Sequence, residues 1–373
     1  MSAFYKLKKK FIYWPYYKFF DSIKKIGEKN YRKDIKKYYL KKGDTLTKKQ
    51  IEEIKAYWNK YKKNIDINFH KYYINRTGIF DVKYIPDYIY INYIDPYFNN
   101  RELEAASSDK NYLDTRLSGF SLPKTYVHKI NNIYLDNNYE IISKEEVIEI
   151  LVGKDFVAKP SMFSFGGQDV SFFKDCERKN IVKYLNECKL ENIIFQEMII
   201  QSESTAYLHK NSLNTLRIIT LILGSEVIVL KPIIRIVEGN EKIAKEGVGE
   251  VFIGINDDGT LTNYGYDIFG NKFEEKFEGK PLKNVKIPKI KEAKEMCMKA
   301  AQRFPHFRLI SWDVAIDKDN KPIIIEANLN MGNIDIIQPV WGPFFGEYTD
   351  RVLNEVFIDK KKYKPSFNID VYI

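Results

Sequence analysis

Cysteine is scarce in this chain of 373 residues: Cys176, Cys188 and Cys297 lie far apart, and no CxxC occurs. This excludes a disulfide framework and a thiolate metal site, and fits a reducing, cytoplasmic setting. Histidine is equally thin. His70, His128, His209 and His306 show no metal-ligand spacing, and each reads as a structural side chain. No apolar run approaches the ~18 residues of a membrane span. The basic start carries an apolar part rich in Tyr and broken by Pro15 and Lys18. No small-residue cleavage site follows it, which argues against a secretory signal. There is no repeat, no Gly/Ser linker and no GK[ST] phosphate loop. No RNP or zinc-finger pattern occurs either, so nucleic acid is not an expected partner.

What is present fits a folded protein. Hydrophobic residues make up 44% and charged residues 29%, and the length allows two or more units. The net charge is +10, which favours anionic partners. Lys, Ile, Asn, Tyr and Phe are abundant together, a pattern that AT-rich coding also produces. Residues 1–40 alternate Lys with aromatics. They read as a docked helix pair with solvated lysines, or as an interfacial anchor over residues 1–26 that would lay aromatics into an anionic membrane. Thr47 and Gln50 form a capping box opening a helix with Ile51, Ile54, Trp58 and Tyr61 on one face. Residues 65–105 read as irregular and Tyr-rich, punctuated by Pro86 and Pro96.

The chemistry concentrates further on. Residues 309–332 read as a β-hairpin with turn residues Asp317, Asp319 and Asn320. Glu326 and Asn328 are two apart and share a face, and Asp313 can lie opposite them. These hard oxygen ligands suit Mg²⁺; the plainer alternative is a hairpin with acids on a wet face. Residues 155–167 read as a strand ending in Lys159, then a loop with Ser161, Ser164, Gly166 and Gly167. Such a loop can cradle phosphate with backbone amides, or can be a Gly-rich hairpin turn. Ser107 or Ser108 can cap a short helix bearing Asp109 and Lys110, and a second capping box runs from Ser143 to Glu146. A strand over 193–197 ends in Gln196 and Glu197. Two strands, 215–223 and 226–237, meet at Gly224-Ser225 and carry Arg217, Lys231 and Arg235. Half-buried cations need anionic partners, either acids of the fold or phosphate. Gly247 and Gly249 mark a loop beside Lys245, and 288–304 reads as an amphipathic core helix.

This order resembles the ATP-grasp superfamily: helix-borne lysine, strand lysine with a glycine loop, Gln-Glu strand end, basic strands, then Asp and Glu-x-Asn. Asp109-Lys110-Asn111, the stretch Ser212 to Arg217, Trp312-Asp313, Glu326-Ala327-Asn328 and Gln338 with Gly342-Pro343 look closest to its sugar-transfer-associated family. The resemblance implies an α+β ATP-grasp fold, two subdomains gripping ATP, over residues 106–358. It leaves a basic, mainly helical N-terminal region at 1–105 and a tail at 359–373. It implies that Lys110 and Lys159 hold ATP phosphates, with Lys245 a further candidate. Ser164, Gly166 and Gly167 would sit in a lid. Gln196, Glu197 and Ile199 would read adenine, Asp313, Glu326 and Asn328 would bind Mg²⁺, and Arg217 and Arg235 would face the transferred phosphoryl group. No clear ribose-binding acid follows the hinge; Glu203 is the nearest.

The activity implied is an ATP-dependent carboxylate–amine ligase acting on a sugar carboxylate, with an amine or amino acid as second substrate, in capsule or other surface-polysaccharide biosynthesis. The enzyme would be cytoplasmic or peripheral at the inner membrane face. The alternatives are a phosphotransferase to a hydroxyl on the same fold, and a basic membrane- or nucleic-acid-binding protein with a degenerate nucleotide site.

Overall fold

The computed structural model describes residues 14–162, 169–239, 249–330 and 332–359, without the side chains of 14–21, 23 and 24. The chain packs as two compact units, residues 1–102 with 333–373, and residues 103–332. They divide the chain by packing, whereas the stretch 106–358 named above is bounded by motif.

The first unit is helical. The helix Trp14–Asp34 has Pro15 in its first turn, where a missing N–H costs nothing. The Thr47–Gln50 capping box forms and opens the helix Lys48–Trp58, which buries Ile54 and Trp58. Residues 65–105 are ordered rather than irregular: the helix Asn68–Thr77 precedes a series of short helical turns, of which the turn Glu104–Ser107 belongs to the second unit. Their tyrosines are core, with Tyr72, Tyr73, Tyr84, Tyr88 and Tyr90 all buried. A helix that packs by phenol rings shows no clean apolar period, because each ring also carries a hydroxyl. The helix Ile334–Trp341 belongs to this unit. Its buried Gln338 accepts from the Ile85 N–H at 2.9 Å and donates to the Ile85 carbonyl at 3.0 Å. No described helix is long and apolar enough to cross a membrane.

The second unit holds two antiparallel sheets. The smaller has the order β2-β1-β5-β3-β4. Its strands are β1 (Thr125–Ile130), β2 (Ile133–Leu135), β3 (Phe156–Pro160), β4 (Ser171–Phe173) and β5 (Ile193–Glu197). The helices Lys144–Leu151 and Arg178–Glu187 cover one face through Val147, Leu151 and Ile181 against Val127, Phe156 and Phe195. Strand alternation sends His128, Ile194 and Lys159, which share one register row, to the opposite face.

The larger sheet has the order β11-β10-β9-β8-β6-β14-β15, with β7 also paired to β6. Its strands are β6 (Thr215–Leu223), β7 (Glu226–Val229), β8 (Ile233–Val237), β9 (Glu250–Ile255), β10 (Leu261–Asp267), β11 (Lys272–Glu274), β14 (Leu309–Ile316) and β15 (Pro322–Asn328). The ribbon β12 (Lys276–Phe277) and β13 (Lys280–Pro281) stands apart. The helix Ile290–Ala301 packs on one face against Leu216, Ile218, Ile234, Ile236, Trp312 and Val314. The expected strand over 226–237 is two strands. Pro232, which has no N–H to give a ladder, lies in the break, and both pieces pair with β6 at different registers.

Candidate functional site

The face of the larger sheet away from the helix Ile290–Ala301 carries charge. Asp313 on β14 lies opposite Arg217 on β6 and Glu326 on β15, with a register shift just after it. Arg235 lies two residues beyond Ile233, the register partner of Arg217, so it points to the same face. Arg217 Nε is 2.8 Å from Asp313 Oδ1. Arg235 reaches Asp313 Oδ2 at 3.5 Å and donates to Glu250 Oε1 at 2.6 Å. The strand arginines therefore have carboxylates of the fold as partners. Lys231 is exposed, outside the strands.

Lys110 approaches from the smaller sheet. It opens a single 3₁₀ turn, Lys110–Tyr112, capped by the side chain of Asp109, not by Ser107 or Ser108. Its Nζ lies 2.8 Å from Glu326 Oε1. Burial would raise the Glu326 carboxyl, but the Lys110 and Lys159 charges outweigh it and hold the group below its ordinary range. Lys159 has no hydrogen-bond or ion-pair partner among the described residues. Burial and the like charge of Lys110 push it down to about 8. Burial lowers the Arg217 guanidinium below its usual value. Partial burial would lower Arg235 as well, yet Asp313 and Glu250 hold it above the usual value. Lys110, Lys159, Arg217 and Arg235 thus meet Asp313, Glu326 and Glu250 in one network drawn from both sheets.

Asn328 donates to the Ser311 carbonyl at 3.2 Å and lies 3.4 Å from Asp313 Oδ2. Asp313, Glu326 and Asn328 are together as expected. Among the described residues, no group of three His, Cys, Asp or Glu side chains could hold a metal ion. Two carboxylates and an amide make an incomplete set of hard oxygens. That fits Mg²⁺, which keeps waters and takes phosphate oxygens, and does not fit an ion needing a closed cage.

The other expected residues lie as follows. Gln196 is buried and its amide donates to Thr125 Oγ1 at 3.2 Å. Glu197 accepts the Lys124 N–H at 2.8 Å and gives its own N–H to the Lys124 carbonyl, so that amide is used by the sheet. Ile199 is half-buried just past β5. Glu203 is exposed at the start of the helix Glu203–Leu208. Ser164, Gly166, Gly167 and Lys245 lie outside the described residues. The sequence does not single out Glu250, and it reads His128 as structural only; Ser161, in the expected loop, meets the Lys110 N–H through its carbonyl. Glu250 had one signal, an acid opening an apolar strand that could pair a basic one. Trp312 and Asn214 turn out to be architectural. Trp312 packs edge-to-face on Phe304 and bonds Thr220, and Asn214 holds the carbonyls of Thr205 and His209.

A profile of sugar-transfer-associated ATP-grasp proteins matches residues 89–343. The chain belongs to the sugar-transfer-associated ATP-grasp family. A comparison with curated proteins gave no match. Among solved structures, this ATP-grasp chain is similar to the ligase PsnB with minimal precursor, Mg and ADP, at 15% identity and TM-score 0.41 over 69% of this chain and 62% of that one. It is similar to N5-carboxyaminoimidazole synthase from Aspergillus clavatus with ADP and its ribonucleotide, at 11% identity and TM-score 0.40 over 65% and 55%. It is also similar to an L-amino acid ligase from Bacillus licheniformis, at 16% identity and TM-score 0.38 over 70% and 49%. This chain spans less than two thirds of each of these proteins, and the ATP-grasp assignment rests on the profile.

Proposed function

We propose that this ATP-grasp protein is an ATP-dependent carboxylate–amine ligase whose acceptor is a sugar carboxylate, a uronic acid by first choice, in capsule or other surface-polysaccharide synthesis. The observation supporting it is the convergence of Lys110, Arg217 and Arg235 with Asp313, Glu326 and Glu250 on one face. The reaction asks for positioning and charge neutralisation more than acid–base groups.

In this reading Lys110 and Lys159 take the phosphates, and Arg217 and Arg235 receive the acceptor carboxylate beside the γ-phosphoryl group. The carboxylate oxygen forms a bond to γ-phosphorus as the β–γ bridging bond breaks and ADP leaves. An amine then attacks the acyl carbon, expels phosphate and loses a proton to give the amide. Asp313, Glu326 and Asn328 would hold Mg²⁺, which when bound supplies charge neutralisation for the phosphates. The residues around Gln196 and Ile199 would read adenine, and the loop holding Ser164, Gly166 and Gly167 would keep water away.

Hydroxylamine intercepts acyl phosphates as hydroxamates, so the natural amine need not be known. Protein, ATP, Mg²⁺ and a panel of uronic acids should give a hydroxamate with stoichiometric ADP. A stable phosphate ester on a hydroxyl would establish a kinase instead. We also propose that residues 1–26 contact anionic membrane at its cytoplasmic face. Salt-sensitive binding to anionic liposomes should vanish when those residues are removed; equal binding by the shortened chain would refute it.

A further inference from the structure

Lys110 sits on a turn of three residues, too short to hold itself in place. Its position is set from outside. The Lys110 N–H donates to the Ser161 carbonyl at 3.0 Å, tying the turn to the end of β3. The other tie runs through Asn111, which is fully buried. Asn111 Nδ2 donates to the Lys129 carbonyl at 3.2 Å, and a carbonyl can only accept. The atom facing His128 Nδ1 at 3.0 Å is therefore Asn111 Oδ1, and Nδ1 must carry a hydrogen.

The far side of the ring completes the picture. His128 is fully buried on β1, in the row that also holds Lys159. Its Nε2 faces Asp114 Oδ2 at 3.4 Å. Tyr139 closes the assembly. Its ring stacks on the imidazole at 4.5 Å, and its hydroxyl meets both the Asn111 carbonyl and the Asp114 carboxylate. Burial would raise the Asp114 carboxyl, but the neighbouring His128 and the Tyr139 hydroxyl outweigh it and hold it below its ordinary range.

We propose that His128 is a positioning residue for Lys110, acting through Asn111 and held beside Asp114. It touches neither nucleotide nor acceptor. It fixes the turn that carries the Lys110 ammonium, and a displacement of about 1 Å at such a group can cost about a hundredfold in rate. The role rests on reading Lys110 as a phosphate ligand.

A double-mutant cycle on the full chain tests it, with Mg²⁺-ADP affinity measured by calorimetry and thermal unfolding recorded alongside. His128→Gln should weaken Mg²⁺-ADP binding at least tenfold in the native chain and less than twofold in a Lys110→Ala chain. Asp114→Asn, at a partly exposed site, should show the same dependence on Lys110 should His128→Gln fold poorly. Equal losses in both backgrounds, or native affinity in both single variants, would overturn the role. Native binding unaffected by Lys110→Ala, or no nucleotide binding by the native protein, would overturn the nucleotide reading and this role with it.

Discussion

Glu326 faces Lys110 at 2.8 Å and lies opposite Asp313 across the strand pair, without being part of either apolar core. Its removal deletes a ligand and no core volume. Glu326→Ala should abolish Mg²⁺-dependent ATP turnover while thermal unfolding stays near native; unchanged turnover would dismiss the metal assignment. Lys110→Ala and Lys159→Ala should each weaken nucleotide binding at least tenfold, about 1.4 kcal/mol, the low end for a charge-assisted hydrogen bond. A lysine whose loss leaves affinity unchanged is not a phosphate ligand. That Asp313, Glu326 and Asn328 share a face was legible, because alternation along two strands fixes which side chains lie together. Glu250 and His128 were not. Each matters through a partner on another strand or turn, and no local period encodes that pairing.

At the scale of elements, capping boxes and strand alternation read well, and the hairpin β14–β15 formed where its turn residues placed it. The β-meander over 250–281 did not read at all. Its strands are short, its polar and apolar residues mixed, and its register depends on turns. One such turn is tight. Gly259 has φ +90°, and a Cβ there would stand 2.4 Å from the Ile287 carbonyl oxygen. The Ile287 N–H also donates to the Gly259 carbonyl at 2.8 Å, so the turn is pinned to the segment before the helix Ile290–Ala301. Gly259→Ala should cost about 2 kcal/mol, seen as a lowered midpoint in urea. A midpoint equal to that of the native chain would show that the turn relaxes freely.

At the scale of the molecule, the return of residues 333–359 to the N-terminal helices was hidden, because it depends on the Gln338–Ile85 pairing between distant stretches. That unit carries its own titration. Burial and the nearby Asp335 push the Asp87 carboxyl up to about 8, although Tyr73 donates a hydrogen bond to it. An unfolded Asp titrates near 3.9. The folded state therefore binds the proton more tightly, and this contribution to stability is full below pH ~4 and lost as pH rises through 8. Thermal midpoints should fall between pH 5 and 8, and Asp87→Asn should flatten that slope. An unaltered slope would place the titration elsewhere.

The contact between Lys110 and Glu326 has a further consequence. Among the described residues each charge at the site already has a protein counterpart except Lys159, so ligand entry at Lys110 and Glu326 is an exchange of partners rather than an addition. A bare cation would take Glu326 and strand the Lys110 ammonium. A bare phosphate would take Lys110 and strand the carboxylate. On the proposed nucleotide reading, a ligand that brings both signs together leaves neither Lys110 nor Glu326 stranded, and nucleotide and cation should bind together. Calorimetry should then give little heat for Mg²⁺ alone or for nucleotide in chelator, and far more for the two combined.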